Sequence, residues 1–319
     1  MLFSSLITKV YKGTVFHRFD ERDTAFYFSH TDFEGVNRDS YSFKNYWGED
    51  LCAYFYYPDN EIEGRIVVFE HGLGAGHRSY MREIVMLVSH GYRVLTYDRT
   101  GCASSPGESA RGLSASLSDL DACLKALKAD EKYGKYDVSV VGHSWGGFST
   151  MNIASYHPEV SHIVAMSGFS SLRAMLEQQF SGFLSRYIPY IYELEKSNNP
   201  DYVDSDAIKA LGSTDAHVLI IHSSDDPVVS CDIHFNRLRA ALSHKKNIRF
   251  LRLEGKAHNP NYTSSAVKLL ADYGKKLKKN SKKLKSTEQK KAFLDSFDWY
   301  AITEQDEAVW SEIFNTLDA

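Results

Sequence analysis

The stretch Val138-Ser139-Val140-Val141-Gly142-His143-Ser144-Trp145-Gly146-Gly147 constrains the fold more than any other, because an apolar run leads directly into Gly-x-Ser-x-Gly. The run has the length and β-branched content of a buried strand, and the residues after it suit the start of a helix. A serine between two such elements stands on a sharp turn with its hydroxyl exposed. A weak nucleophile needs that placement if a neighbouring base is to activate it. Gly142 and Gly146 suit the turn, since neither has a Cβ to strike the adjoining strand and helix. Alone the pattern carries little. With glycine at roughly 7% of residues and serine similarly common, it arises by chance in about one chain in ten of this length.

Two later segments supply partners. Residues 217–222 (His-Val-Leu-Ile-Ile-His) read as a buried strand that ends in Ser223-Ser224-Asp225-Asp226-Pro227, a turn carrying two carboxylates. Residues 248–253 alternate like a strand and lead into Glu254-Gly255-Lys256-Ala257-His258-Asn259. Of the thirteen histidines, only His258 follows this last strand. Loops at the carboxyl ends of parallel strands gather at one edge of a sheet, so Ser144, one of Asp225 and Asp226, and His258 can meet there. His71 and His143 flank the serine in this picture but suit structural hydrogen bonding better than proton transfer.

With these residues in place, the chain resembles the α/β-hydrolase superfamily, and within it the lidded lipase, esterase and serine aminopeptidase branch. The resemblance covers roughly Glu63 to Tyr273. The run Arg65-Ile66-Val67-Val68-Phe69-Glu70-His71-Gly72-Leu73-Gly74 resembles the strand and His-Gly loop that carries half of the family's oxyanion hole. Tyr92 through Gly107, with Asp98, Gly101 and Ser105, resembles the next strand and its Asp-x-x-Gly-x-x-x-Ser loop, where Asp98 is expected to order the turn. His222-Ser223-Ser224-Asp225-Asp226-Pro227 resembles the acid turn and places the acid at Asp226, and Gly255-Lys256-Ala257-His258-Asn259 resembles the histidine loop. Ser223 stands where the family has glycine, and Cys102 is unusual in the loop after Asp98. Neither departure removes a reacting group.

The resemblance implies a mostly parallel, doubly covered α/β sheet and a Ser144–His258–Asp226 triad, with the backbone N–H groups of Leu73 and Trp145 as oxyanion donors. The activity implied is hydrolysis of carboxylic esters through an acyl-enzyme on Ser144, acting on a small-molecule acyl substrate. A peptidase resembling proline iminopeptidases is the nearest alternative, because Gly-His-Ser-Trp-Gly-Gly resembles their elbow. Glu177, Glu193 and Glu195 are then candidates to hold a substrate ammonium group, although exposed helix faces account for them equally well. A thioesterase or lactonase would use the same machinery, and a hydrolase-fold binding protein without turnover is the alternative outside enzymes. Dehalogenases and epoxide hydrolases carry Asp at the position of Ser144. No metal or organic cofactor is implied, since the chain has no His-Glu-x-x-His helix and no Gly-x-Gly-x-x-Gly spacing.

The remaining sequence frames this core. At 319 residues, 43% hydrophobic and with a net charge of −4, the chain has material for one large α/β domain and nothing that asks for nucleic acid. Cys52, Cys102, Cys123 and Cys231 form no metal-ligand spacing and read as reduced thiols. With no transmembrane run and no basic, apolar leader, the expected location is cytoplasmic. Residues 1–167 and 215–274 are assigned to the hydrolase core, with an aromatic strand at 51–57 entering the sheet antiparallel and helices over 80–89 and 113–128. Residues 168–214 form an insertion too long to lack structure. Two or three short helices around Pro189 are expected there, forming a lid as in the resembling family. Residues 275–319 are set apart as a lysine-rich segment and C-terminal helical extension, with nine lysines from Lys275 to Lys291 and neither Lys nor Arg after it. A solvated helix face is the expected setting for that charge, with a membrane-surface patch as the alternative. Oligomeric state is not legible in the sequence.

Overall fold

The computed structural model describes residues 2–74 and 76–319. Eight strands form one sheet: β1 (Asn37–Lys44), β2 (Asp50–Tyr57), β3 (Arg65–Glu70), β4 (Arg93–Tyr97), β5 (Asp137–His143), β6 (His162–Met166), β7 (His217–Ser223) and β8 (Ile248–Leu253). Their order is β1-β2-β4-β3-β5-β6-β7-β8. β2 runs antiparallel to β1 and to β4, and every later pairing is parallel. The antiparallel start follows from the short Asn45–Glu49 connection, too short for a crossover. The order reverses at β3: β4 lies on one side of it and β5 on the other. Loops leaving β3 and β5 therefore diverge at their carboxyl ends, and ligand crevices in open α/β sheets form at such a point.

Alternate strand residues enter opposite cores. Ile66, Val68, Val140, Ile163 and Ala165 pack beneath helices Ala115–Ala129, Trp145–Asn152 and Ala207–Ser213. Val67, Phe69, Val141, Val164 and Met166 pack beneath Met81–Ser89 and Glu307–Leu317. The sheet is thus apolar on both faces, which is why its central strands read as continuous hydrophobic runs. β1 is the polar edge strand, with Arg38, Asp39 and Ser40 exposed, a composition that discourages pairing with another chain.

Some elements outside the central strands meet the sequence expectations and others depart from them. Residues 2–15 form a helix, Leu2–Val15, that buries Tyr11 and Val15. The helix expected over 113–128 spans Ala115–Ala129. Residues 168–214 hold helices Leu172–Gln179, Ile188–Asn198 and Ala207–Ser213 with a 3-10 turn at Gly182–Tyr187, and Pro189 stands in the first turn of the second. The last of these belongs to the core face, where Ala207, Ala210 and Leu211 are fully buried. At the other end, residues 275–319 include Glu307–Leu317, whose Val309, Trp310, Ile313 and Leu317 complete the second core. The lysine-rich helices Ser264–Asn280 and Thr287–Asp295 lie between the last sheet loop and this covering helix. Trp299 stacks on Phe26 at 5.2 Å and meets the Tyr273 ring edge-on at 4.9 Å, so the C-terminal segment closes onto the aromatic residues near the N-terminus. Among the described residues, no helix is long and apolar enough to cross a membrane.

Glu195 is the largest departure. Rather than lying on an exposed face, it is fully buried, accepting hydrogen bonds from the Tyr11 hydroxyl at 2.6 Å and the amides of Leu113 and Ser114 at 2.8 and 3.3 Å. It thereby joins the insertion to the N-terminal helix and to the start of Ala115–Ala129. The Leu113 carbonyl in turn accepts from the Trp145 indole at 2.5 Å. Burial pushes the Glu195 carboxyl up to about 7 despite these three donors.

Two expectations follow. Trp310 is 1% exposed and donates to Gln305 Oε1 at 2.8 Å. Trp310→Ala should cost about 3–5 kcal/mol in denaturant unfolding, the range for emptying a large aromatic site; a loss under about 1 kcal/mol would show the last helix to be peripheral. For Glu195 the folded pKa is raised, so the folded state holds its proton after the unfolded chain has lost it. Its contribution is full below the ordinary carboxylate range and lost as pH rises towards about 7. Wild-type stability relative to Glu195→Gln should therefore fall between about pH 4.5 and 7. A pH-independent difference between their melting temperatures would contradict this.

Candidate active site

Ser144 follows β5 at φ 58° and ψ −115°, a sparsely populated conformation for a residue with a side chain. Its amide donates to the Met166 carbonyl at 2.8 Å and its carbonyl accepts from Phe148 at 3.1 Å, pinning it to β6 on one side and to the following helix on the other. The helix approaches β3 so closely that a Cβ on Gly146 would lie 2.1 Å from the Glu70 carbonyl oxygen. On Gly142 a Cβ would lie 2.3 Å from Thr150 Oγ1. Both glycines are therefore required by close approach.

The loops after β5, β7 and β8 bring the three polar side chains into one line. Ser144 Oγ lies 2.8 Å from His258 Nε2, and His258 Nδ1 lies 2.8 Å from Asp226 Oδ2. Of the two adjacent carboxylates, Asp226 is the one against the imidazole. Its Oδ1 accepts from the amides of Val228 and Val229 at 2.8 and 3.0 Å. Burial opposes its charge, but His222, His258 and the Val229 amide outweigh that and hold the carboxyl well below the usual range. Asp225 has a different part: its Oδ1 accepts from Ser223 Oγ at 2.5 Å and from the Gly255 amide at 2.9 Å. Ser223 Oγ also accepts from the Lys256 amide at 3.2 Å. The serine that departs from the family's glycine thus ties the acid loop to the histidine loop.

Leu73 and Trp145 stand beside the serine. Gly72, immediately before Leu73, would place a Cβ 3.3 Å from that of Ser144. Trp145 opens its helix, so its amide is among those with no intrahelical acceptor. Beneath them lies a buried ion pair, Arg99 to Glu70 at 3.2 Å, with both side chains 1% exposed. The Arg99 guanidinium also donates to the His71 carbonyl and lies 4.8 Å from the Trp145 ring centroid. It therefore braces the β3 loop against the turn at Ser144.

Two histidines hold the surroundings. His143 Nδ1 lies 2.8 Å from the Tyr80 hydroxyl and its Nε2 lies 2.7 Å from the His258 carbonyl oxygen, while burial and the neighbouring His258 lower its pKa to about 3. His71 is held neutral by burial and by Arg99, also at about 3, with Nδ1 facing the Gly72 carbonyl at 2.7 Å. A neutral ring that bonds backbone oxygen is a positioning group, in keeping with the structural parts expected for both. Asp98 orders its loop by accepting from the His77 amide at 2.9 Å, its Nδ1 at 2.8 Å and the Ser104 amide at 3.1 Å. Cys102 is fully buried, and burial pushes its thiol up to about 12.

Three contacts escaped the sequence. His222 Nε2 lies 3.4 Å from Asp226 Oδ2 and 2.9 Å from the Val229 carbonyl, steadying the acid from below. Tyr80 reaches His143 across the crevice. Gln178, on the first helix of the insertion, donates to the Val228 carbonyl at 2.9 Å and accepts from Ser230 at 3.0 Å, fastening the insertion to the acid loop. His222 falls within the quoted acid turn, but its partners are set by a loop geometry that no spacing announces.

The model of the family described as alpha/beta hydrolase fold matches residues 65–207. The chain is 26% identical over 130 residues to the quorum-quenching protein AidA of Acinetobacter baumannii, a match spanning 39% of this chain and 43% of that protein. Among solved structures, the esterase Pf2001 of Pyrococcus furiosus superposes with a TM-score of 0.58 at 16% identity, covering 84% of this chain and 97% of that one. A puromycin-hydrolyzing peptidase of Mycobacterium tuberculosis gives 0.54 at 22% identity, covering 70% and 36%. At these identities the likeness is one of fold. Together with the strand order, these matches show the α/β-hydrolase fold.

Proposed function

We propose that this protein hydrolyses carboxylic esters through an acyl-enzyme on Ser144. The observation that carries the proposal is the unbroken line from Ser144 Oγ through His258 to Asp226, each step 2.8 Å, starting from a serine on a strained turn. Ser144 Oγ attacks the ester carbonyl carbon as His258 Nε2 takes its proton. Asp226 accepts from Nδ1, holding the tautomer that leaves Nε2 free and stabilising the imidazolium. The tetrahedral oxygen gathers negative charge beside the amides of Leu73 and Trp145. His258 then returns the proton to the leaving alcohol, and water repeats the sequence on the acyl group. One oxyanion donor is worth about a hundredfold to a thousandfold in kcat.

Residues 168–206 serve as the lid in this proposal, since Gln178 fastens their first helix to the acid loop and Glu195 fastens their second to the N-terminal helix. Phe183 and Tyr190 are 74% and 58% exposed, presenting apolar surface of the kind that meets an acyl group. For the peptidase alternative, Glu195 is fully engaged inside the protein and Glu177 lies 3.9 Å from Arg237, which leaves the exposed Glu193 as the carboxylate to hold a substrate ammonium group.

The test is turnover of para-nitrophenyl esters from acetate to palmitate, beside proline and alanine para-nitroanilides. Ester cleavage should vanish in Ser144→Ala, and Asp226→Asn should lower kcat by roughly 10⁴-fold, whereas Asp225→Asn should retain most activity. Anilide cleavage without ester cleavage would overturn the ester assignment. Failure of Ser144 to react with a fluorophosphonate would favour a binding protein.

A further inference from the structure

A cavity of about 280 Å³ lies between the loop after β3 and the segments at the two ends of the chain; Ser144, Asp226 and His258 do not line it, and Leu73 is its link to the site. Leu73 and Gly74 form one lip, and Tyr262, four residues beyond His258, forms another. One lip thus belongs to the loop after β3, which carries the proposed oxyanion donor Leu73, and the other to the loop that carries His258. Tyr273 and Trp299 line the far wall, and the Trp299 indole is fixed by a 2.9 Å hydrogen bond to the Leu294 carbonyl.

The charge of the cavity is one-sided. Arg22, Arg78 and Arg82 line it, and no carboxylate is among the described residues that do. Arg78 is already paired with Glu21 at 3.0 Å. Arg82 is different: its guanidinium carbon lies 5.9, 5.7 and 5.2 Å from the ring centroids of Phe28, Phe33 and Tyr300. Its Nε is buried with no hydrogen-bond partner among the described residues. Aromatic faces attract the cation but accept little from its N–H groups. A guanidinium held still by rings, with donors unused and water partly excluded, suits a carboxylate, which can take two parallel hydrogen bonds.

We propose that this cavity is a substrate subsite for an apolar or aromatic arm ending in a carboxylate, with Arg82 recognising the anionic end. The inference rests on the ester-hydrolase proposal and narrows it to esters that carry a negative charge away from the scissile bond. The rings accept the arm, and Arg82 selects the charge.

The test uses the full chain with phenylbutyrate and its uncharged amide as probes. Binding is followed by quenching of tryptophan emission, assigned to the cavity through Trp299→Phe, and separately by inhibition of para-nitrophenyl acetate cleavage. The carboxylate should bind about tenfold tighter than the amide, a preference falling to within about twofold in Arg82→Gln and largely restored in Arg82→Lys. Arg22→Gln, at an exposed position, should reduce it less. Inhibition should be competitive. Equal affinity for the two probes, or a preference that Arg82→Gln leaves intact, overturns the proposal, as does preferential binding that does not compete with the ester. Quenching needs no turnover, so an inactive protein that still prefers the carboxylate counts against the ester-hydrolase proposal and leaves anion recognition by Arg82 standing.

Discussion

The backbone of Ser144 is the constraint on which the rest of the site depends. At φ 58° and ψ −115° it sits where a side chain is costly, by about 1–3 kcal/mol, so the conformation persists only because both flanks are pinned. β6 holds its amide, the following helix holds its carbonyl, and Gly146 lets that helix rest against the Glu70 carbonyl. A side chain at 146 would push the helix from β3 and carry Ser144 with it. The geometry of a hydroxyl is thus set by the absence of a methyl group two residues away.

The second support is electrostatic. Taking Glu70 and Arg99 out of water costs several kcal/mol per ion before their attraction is counted, so such a pair is poor evidence of stability. Its value here is positional. Arg99 touches Glu70, the His71 carbonyl and the Trp145 ring, which lie on the two segments flanking Ser144. Removing one member would leave a buried charge alone, so the arrangement is held by the cost of breaking it. Ser223, Asp225 and Gly255 lock the acid and histidine loops in a similar way, with neutral donors around one carboxylate.

The added segments bind one another as well as the core. Tyr11 meets Glu195, Phe26 meets Trp299, and Lys290 reaches Asp23 at 2.6 Å. None of these contacts involves Ser144, His258 or Asp226. In the proposed reading, chemistry and selectivity are carried by different parts of the chain: reacting groups by loops of the central sheet, and the walls by residues far from it in sequence. The lysine-rich stretch belongs to this outer layer, between the histidine loop and the last covering helix.

The sequence by itself determined what depends on local pattern: apolar runs of strand length, glycines flanking a serine, carboxylates before a proline, and a histidine after the last strand. From these the sheet, its motif order and the grouping of Ser144 and His258 with one of Asp225 and Asp226 were legible, because parallel strands deliver their loops to one edge whatever lies between them; the choice of Asp226 came with the family resemblance. The tertiary structure decided what depends on partners distant in sequence. Glu195 looks like any exposed helical carboxylate until Tyr11, 184 residues earlier, closes over it. Residues 307–317 look like a tail until Trp310 and Ile313 are seen to fill a core that the sheet leaves open. Arg82 is one charge in a mixed helix until Phe28, Phe33 and Tyr300 converge on it from opposite ends of the chain. Burial, and with it the charge state and use of a side chain, is a property of what arrives from elsewhere, which no local spacing encodes.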